Sequence, residues 1–238
     1  MANLESIWQR ARTDLTIDDG RGQRDTFLWE HSARVARAAV IIAEVPDISP
    51  RPLDTTALVA AALYHDAGWI VQCREGLVER SEILVRATCD LQRELAAAML
   101  EERLGSSLPA RSLDAAVVAV RRLNDRDVTL PEAHVLADSD NLDCIGALSF
   151  WQTVRRCSND GKGMQAAIET WKRQKEYHFW EARIADAFRF EPVRELARER
   201  LSQFSEFMDA LAWQHGGEDV ARLKGVRTGS SSQRLPSI

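Results

Sequence analysis

Cysteine pairs, surplus basic charge, long apolar runs and histidine are all scarce in this chain of 238 residues. The four cysteines, Cys73, Cys89, Cys144 and Cys157, contain no C-x-x-C pair. That excludes a zinc ribbon and a thioredoxin-type motif and fits free thiols in a reducing compartment. No run approaches the roughly 18 apolar residues that a membrane span requires. The opening MANLESIWQRARTDL is charged throughout and lacks the apolar stretch of a signal peptide, so the expected location is the cytoplasm, with no membrane partner. The formal net charge is −5, and the broad basic field that holds nucleic-acid polymers is therefore missing. A local basic pocket for a small phosphorylated ligand remains compatible with it.

What is present is helical pattern. Leu4, Ile7, Trp8, Ala11 and Leu15 recur at three- and four-residue spacing, which predicts a first helix over 3–15. The polar, Gly-containing 17–25 reads as a loop, so 1–25 forms an N-terminal helix and loop. A helix over 26–44 ends at Val45-Pro46. Asp54 opens a helix that is apolar on nearly every side, as expected of a central element, and Gly68 is its expected terminator. After the polar turn CREGLVERSE a long helix reaches Leu104, and a shorter one covers 113–123. Leu130-Pro131 opens the helix carrying ADSDNLDCIGAL. Two further amphipathic helices are expected over 164–189 and 191–214, broken at Pro192. The small, polar segment from Gly216 reads as a disordered tail over 216–238. The expected architecture is all-α, a single helical bundle over 26–215 with a mobile C-terminal tail.

With only five histidines, His31, His65, His134, His178 and His215, the surroundings of each are informative. His65 and Asp66 close the most apolar helix, where a buried carboxylate must be paired or bound to a cation. DSDNLD places Asp138, Asp140 and Asp143 on a helix whose other residues are core-like. Imidazole and carboxylate together suit a borderline divalent ion such as manganese, iron, cobalt, nickel or zinc. Two histidines and two aspartates would leave roughly two positions open on a six-coordinate ion, and an open position marks a catalytic rather than a structural site.

The order His31, His65-Asp66, Asp140 resembles the H…HD…D pattern of the HD-domain phosphohydrolases. EHSARVARAA is similar to the first-histidine helix of that family, ALVAAALYHDAGW to its HD segment, and VLADSDNLDCIGAL to its late aspartate segment. In that last segment the second aspartate is the ligand, which selects Asp140. YHFWEARIADAF and ARERLSQFSEFMDAL are similar to the closing helices of small bacterial members, including some that act on nucleoside triphosphates. The resemblance spans 29–211. It implies an all-α metal-dependent phosphohydrolase with one divalent transition metal ion on His31, His65, Asp66 and Asp140. It also implies a small phosphorylated substrate, a nucleotide being favoured, cleaved by metal-activated water. A domain that binds such a ligand without hydrolysis is the alternative.

Two departures from relatives matter. The interval that in some members carries second-metal histidines has Leu123 and Asn124 here, which weakens cyclic-dinucleotide phosphodiesterase and di-iron oxygenase readings. Trp69 stands where some nucleotidases carry a catalytic glutamate, which leaves the general base open; Asp66 and, on position alone, Glu82 are the candidate catalytic carboxylates. Arg34, one turn after His31, either meets a substrate phosphate or forms an ion pair. Arg121 and Arg122 either enter the pocket or lie on a solvated helix end. Asp138 and Asp143 either hold a histidine or arginine or face solvent. Trp29 or Trp69 could stack on a base. His178 either lines the cavity or, as is usual among aromatics at helical spacing, is structural; His134 and His215 read as surface residues, and Gly161-Lys162-Gly163 lacks the spacing of a phosphate loop.

Overall fold

The most apolar segment of the chain becomes its centre. In a computed structural model that describes residues 3–18, 22–46, 48, 53–86 and 88–223, helix α3 (Thr55–Tyr64) buries every side chain from Ala57 to Tyr64. It packs against α1 (Leu4–Asp14), α2 (Phe27–Ala43), α5 (Asp90–Leu104), α6 (Ala110–Arg121) and α7 (Pro131–Asp143). A helix surrounded on all sides has no polar face to offer, which is why its apolar pattern shows no period. Asp54 caps it by accepting the Ala57 amide at 2.9 Å and the Ser112 hydroxyl at 2.6 Å, while its own amide donates to Glu132 at 2.8 Å. One cap thus joins α3, α6 and α7.

Around this core lie α4 (Gly68–Arg74), a 3₁₀ turn (Arg80–Glu82), α8 (Ala147–Asn159), α9 (Met164–Glu176), α10 (Phe179–Ala187), α11 (Glu191–His215) and α12 (Glu218–Ala221). The all-α expectation holds among the described residues. Their one sheet is a two-stranded antiparallel pair, β1 (Ile17–Asp18) and β2 (Arg24–Asp25), within the segment expected to be loop. α12 stands at the start of the expected tail; residues 224–238 lie outside those described. No described helix is long and apolar enough to cross a membrane.

Three boundaries differ from expectation. Gly68 does not terminate α3; it is the first residue of α4. A Cβ there would stand 2.0 Å from the Gln92 carbonyl oxygen, so the glycine is present because α4 and α5 touch backbone to backbone. Gly68→Ala is therefore expected to cost about 3 kcal/mol or more, at the upper end of overpacking changes, read as a fall in denaturant midpoint. The helix expected to follow the CREGLVERSE turn begins only at Asp90. Its apparent first apolar residues form a loop, where Ile83 is buried and Leu84 adopts a φ of 60°. The helix expected over 164–189 is broken at His178, which adopts a φ of 50°, so α9 and α10 take different directions.

Candidate metal centre and adjoining cavity

Each chemically active side chain sits at an element end or on a facing helix pair. His65 is the C-cap of α3 and Asp66 lies in the turn before α4. His31 is on the first turns of α2, and Asp140 and Asp143 are on the last turn of α7. The α2–α7 and α2–α3 contacts bring them together. His31 Nε2 and His65 Nε2 stand 3.2 Å apart. Asp140 Oδ1 lies 3.4 Å from each, and Asp66 Oδ2 lies 3.5 Å from each. Separations of this size suit atoms arranged roughly 2.1 Å from a shared centre. His31, His65 and Asp66 form a possible metal site, with their ligand atoms all within 4.8 Å of one another. Asp140, from α7, is not part of that group, but its Oδ1 stands 3.4 Å from both imidazole nitrogens.

The far nitrogens make the case stronger. His31 Nδ1 faces Asp143 Oδ2 at 2.8 Å, and His65 Nδ1 faces the Ala62 carbonyl at 2.8 Å. A carboxylate and a carbonyl can only accept, so both Nδ1 atoms carry their proton. In the neutral rings both Nε2 lone pairs then point at the same small volume as two carboxylate oxygens. Both rings are essentially buried, at 1% and 0% exposure. Lone pairs converging from two buried rings and two carboxylates call for a cation, either protons or a metal ion. The donor set fits a divalent ion.

In the metal-free state protons fill that role. Burial alone would lower the pKa of His31, but hydrogen bonds to Asp140, Asp143 and Asp66 outweigh it and raise the value well above the ordinary one. For His65, burial is likewise overcome by the charges of Asp66 and Asp140. The carboxyls of Asp66, Asp140 and Asp143 are held below the usual range against burial: Asp66 chiefly by the charge of His65, Asp140 and Asp143 chiefly by hydrogen bonds from His31.

A cavity of about 320 Å³ opens beside the cluster, with His31, Asp66 and Asp140 on its wall. From α8, Ser149, Gln152, Thr153 and Arg156 line it; from α10, Phe179, Trp180 and Arg183 do so. Arg86 and Thr88 come from the loop before α5. Neighbouring interactions set these positions. Arg155 anchors α8 by donating to Asp25 at 2.8 Å and to the Arg80 carbonyl at 2.6 Å. Asp138 accepts the amides of Arg189 and Phe190, at 3.0 Å each, which ties the end of α10 to α7. Thr88 donates to Asp66 Oδ1 at 2.7 Å and accepts the Trp69 indole N–H at 3.2 Å.

The sequence expectations are placed unevenly. His31, His65, Asp66 and Asp140 come together. Arg34 does not line the cavity; it forks onto Asp143, with Nε to Oδ1 at 2.8 Å and Nη2 to Oδ2 at 2.9 Å. Arg121 does not reach the cavity: it pairs with Glu94 at 2.9 Å, and Arg122 pairs with Asp125 at 2.7 Å. Glu82 does not reach it either; it accepts the Glu79 amide at 2.9 Å and pairs with Arg86 at 3.2 Å. Trp69 is buried and Trp29 packs edge-on against Trp8, so neither lines the cavity. His178 is exposed, and His134 is half-buried against the Val128 carbonyl.

The lining arginines, Arg86, Arg156 and Arg183, went unrecognised in the sequence. One signal was available for α8: 149, 152, 153 and 156 form a polar stripe at helical spacing, directly after the aspartate segment. Nothing comparable marked Arg86, which lies in a loop that reads as helix.

Residues 28–145 match the HD domain family model. The chain is an HD-domain protein. Among solved structures it is similar to YpgQ of Bacillus subtilis, at 21% identity and a TM-score of 0.58 over 91% of this chain and 95% of that one. YpgQ in complex with ADP aligns at 20% identity and a TM-score of 0.57, over 92% and 98% of the two chains. A predicted HD superfamily hydrolase from an uncultured Thermotogales bacterium matches at 20% and 0.54, over 90% and 93%. No curated protein matches the sequence at a significant level.

Proposed function

We propose that this protein is a metal-dependent phosphohydrolase that cleaves a phosphoester or phosphoanhydride of a small metabolite, a nucleotide being the favoured substrate. The observation that carries the reading is the cluster of His31, His65 and Asp66, with Asp140 at 3.4 Å from both imidazoles, beside a cavity also lined by Arg86, Arg156 and Arg183. What a divalent transition metal ion (manganese, iron, cobalt, nickel or zinc) supplies when bound there is Lewis acidity toward a phosphoryl oxygen and a nucleophile generated from water at neutral pH.

The chain's own residues bind and orient. The three guanidiniums are suited to the non-bridging oxygens of a phosphate chain, where charge-assisted bonds are strongest. Thr88 holds Asp66 in one orientation by its hydroxyl. Phe179, 43% exposed, lines the cavity with its ring packed edge-to-face on Trp180 at 5.1 Å, and Trp180 is fixed by donating to Gln174 at 3.1 Å. A planar base stacks on such a ring. The ADP bound to YpgQ supports a nucleotide. Position 124 is asparagine, and His134 is turned to the Val128 carbonyl, so the reading is one ion per chain.

Incubation with manganese, nickel or cobalt and a panel of nucleoside mono-, di- and triphosphates is the test. Phosphate or pyrophosphate release from at least one is expected; no product from any substrate with any metal would end the hydrolase reading. Phe179→Ala should raise KM for the preferred nucleotide about tenfold, the size of one lost base stack, and leave KM for inorganic tripolyphosphate unchanged. A second reading, ligand binding without turnover, draws on one observation: Asp66 and Asp140 are the sole carboxylates on the described cavity wall. Thermal stabilisation by a nucleotide that is never consumed would select it.

A further inference from the structure

Two facing helices carry the same spacing twice. On α2, His31 is followed one turn later by Arg34; on α7, Asp140 is followed one turn later by Asp143. The inner couple, His31 and Asp140, meets at 3.4 Å in the ligand cluster. The outer couple meets as a two-pronged ion pair, with Arg34 Nε and Nη2 at 2.8 and 2.9 Å from the two oxygens of Asp143. The link between them is the 2.8 Å hydrogen bond from His31 Nδ1 to Asp143 Oδ2. Asp143 is only 5% exposed, so its charge needs a partner, and a fork of two parallel bonds restricts the carboxylate plane as a single bond would not.

The two rings are held differently. His65 gives its Nδ1 proton to a neutral backbone carbonyl, whereas His31 gives its own to a carboxylate. The carboxylate that takes the His31 proton is itself held on its far side by the Arg34 guanidinium, so ring, carboxylate and guanidinium form one fixed chain. Arg34 is not among the residues that line the cavity, and its guanidinium is taken up by Asp143.

The geometry points to Asp143 and Arg34 as a positioning pair that fixes the ring plane and tautomer of His31, so that Nε2 is presented to a divalent cation together with His65, Asp66 and Asp140. The inference rests on the cluster being a metal site, and it assigns Arg34 to the metal ligand rather than to the substrate. Asp138 serves as the internal contrast: it too is buried, on the same helix, yet it accepts only backbone amides of 189 and 190.

The experiment is calorimetric titration of manganese into the wild type and into Asp143→Asn, Arg34→Ala, Arg34→Lys and Asp138→Asn, with KM and kcat read at saturating metal. Asp143→Asn should weaken manganese binding 10- to 100-fold, the usual consequence of losing such a partner. Arg34→Ala should weaken it about tenfold, with partial recovery in Arg34→Lys, whose point charge cannot fork. KM should stay within about twofold in every variant, and Asp138→Asn should lower thermal stability without weakening the metal. Wild-type affinity in Asp143→Asn would overturn the inference while leaving the metal site standing. So would a raised KM with unchanged metal affinity in Arg34→Ala, or equal metal loss in Asp138→Asn. A wild-type protein that binds no divalent ion would overturn the metal reading as well.

Discussion

His65→Ala should purify without metal and lose turnover by at least about 10³-fold, since the Lewis acid contributes several kcal/mol of barrier lowering. Asp140→Ala should do the same from the opposite side of the cluster. His65 is fully buried, and Asp140 retains 25% side-chain exposure toward the cavity, so the two variants perturb packing very differently. A shared loss of metal would therefore trace to the ligand set rather than to general unfolding. The measurement pairs elemental metal content with phosphate release. Either variant retaining wild-type turnover would remove the site from the mechanism.

Removing the metal should make the protein's stability depend on pH in a direction fixed by the cluster. The folded-state pKa values of His31 and His65 are raised above the ordinary 6.5. Their contribution is fully present below 6.5 and is lost as pH rises through the raised values. The carboxyls of Asp66, Asp140 and Asp143 are lowered from 3.8. Their contribution is present above 3.8 and is lost as pH falls through the lowered values. These are the same ion pairs seen from each side, so they count once, and the metal-free cluster stabilises most between about pH 4 and 6.5.

A metal ion replaces those protons, so its binding must release protons and tighten as pH rises. At a hundredfold excess over Kd it should add about 2.7 kcal/mol, or roughly 5–10 °C in Tm for a chain of this size. The gain should be greater at pH 8 than at pH 6. Thermal melts with and without manganese at the two pH values check this, and a metal-induced shift that shrinks with rising pH would contradict the proton-replacement picture.

How much of this was readable varied with the kind of physics involved. The all-apolar run 57–64 announced a central helix because a surrounded helix leaves no face for polar residues. His65-Asp66 at its end stood out because burying such a pair is costly without compensation. The α4–α5 contact was not readable: Gly68 looks the same whether it ends a helix or lets two backbones touch, and only the 2.0 Å approach to Gln92 distinguishes the two. The apolar 83–85 segment looks like the start of α5, yet it is a turn closed by the Glu79–Glu82 capping box and the Ile83 and Val85 amides, with Leu84 and Val85 on the cavity wall. Arg121 and Arg122 looked eligible for the pocket because charge and neighbourhood carry no information about direction.

Taken alone, the amino-acid order determined that the chain is helical, which helix lies at the middle, and which imidazoles and carboxylates are too costly to bury unpaired. Those are local properties, set by periodicity and by the solvation of single groups. Only the tertiary structure decided that Arg34 faces Asp143, that Arg86, Arg156 and Arg183 line the cavity, and that Phe179 rather than Trp29 or Trp69 lines it. Those are matters of side-chain direction across helices far apart in the chain, and direction follows from packing angles that no single segment encodes.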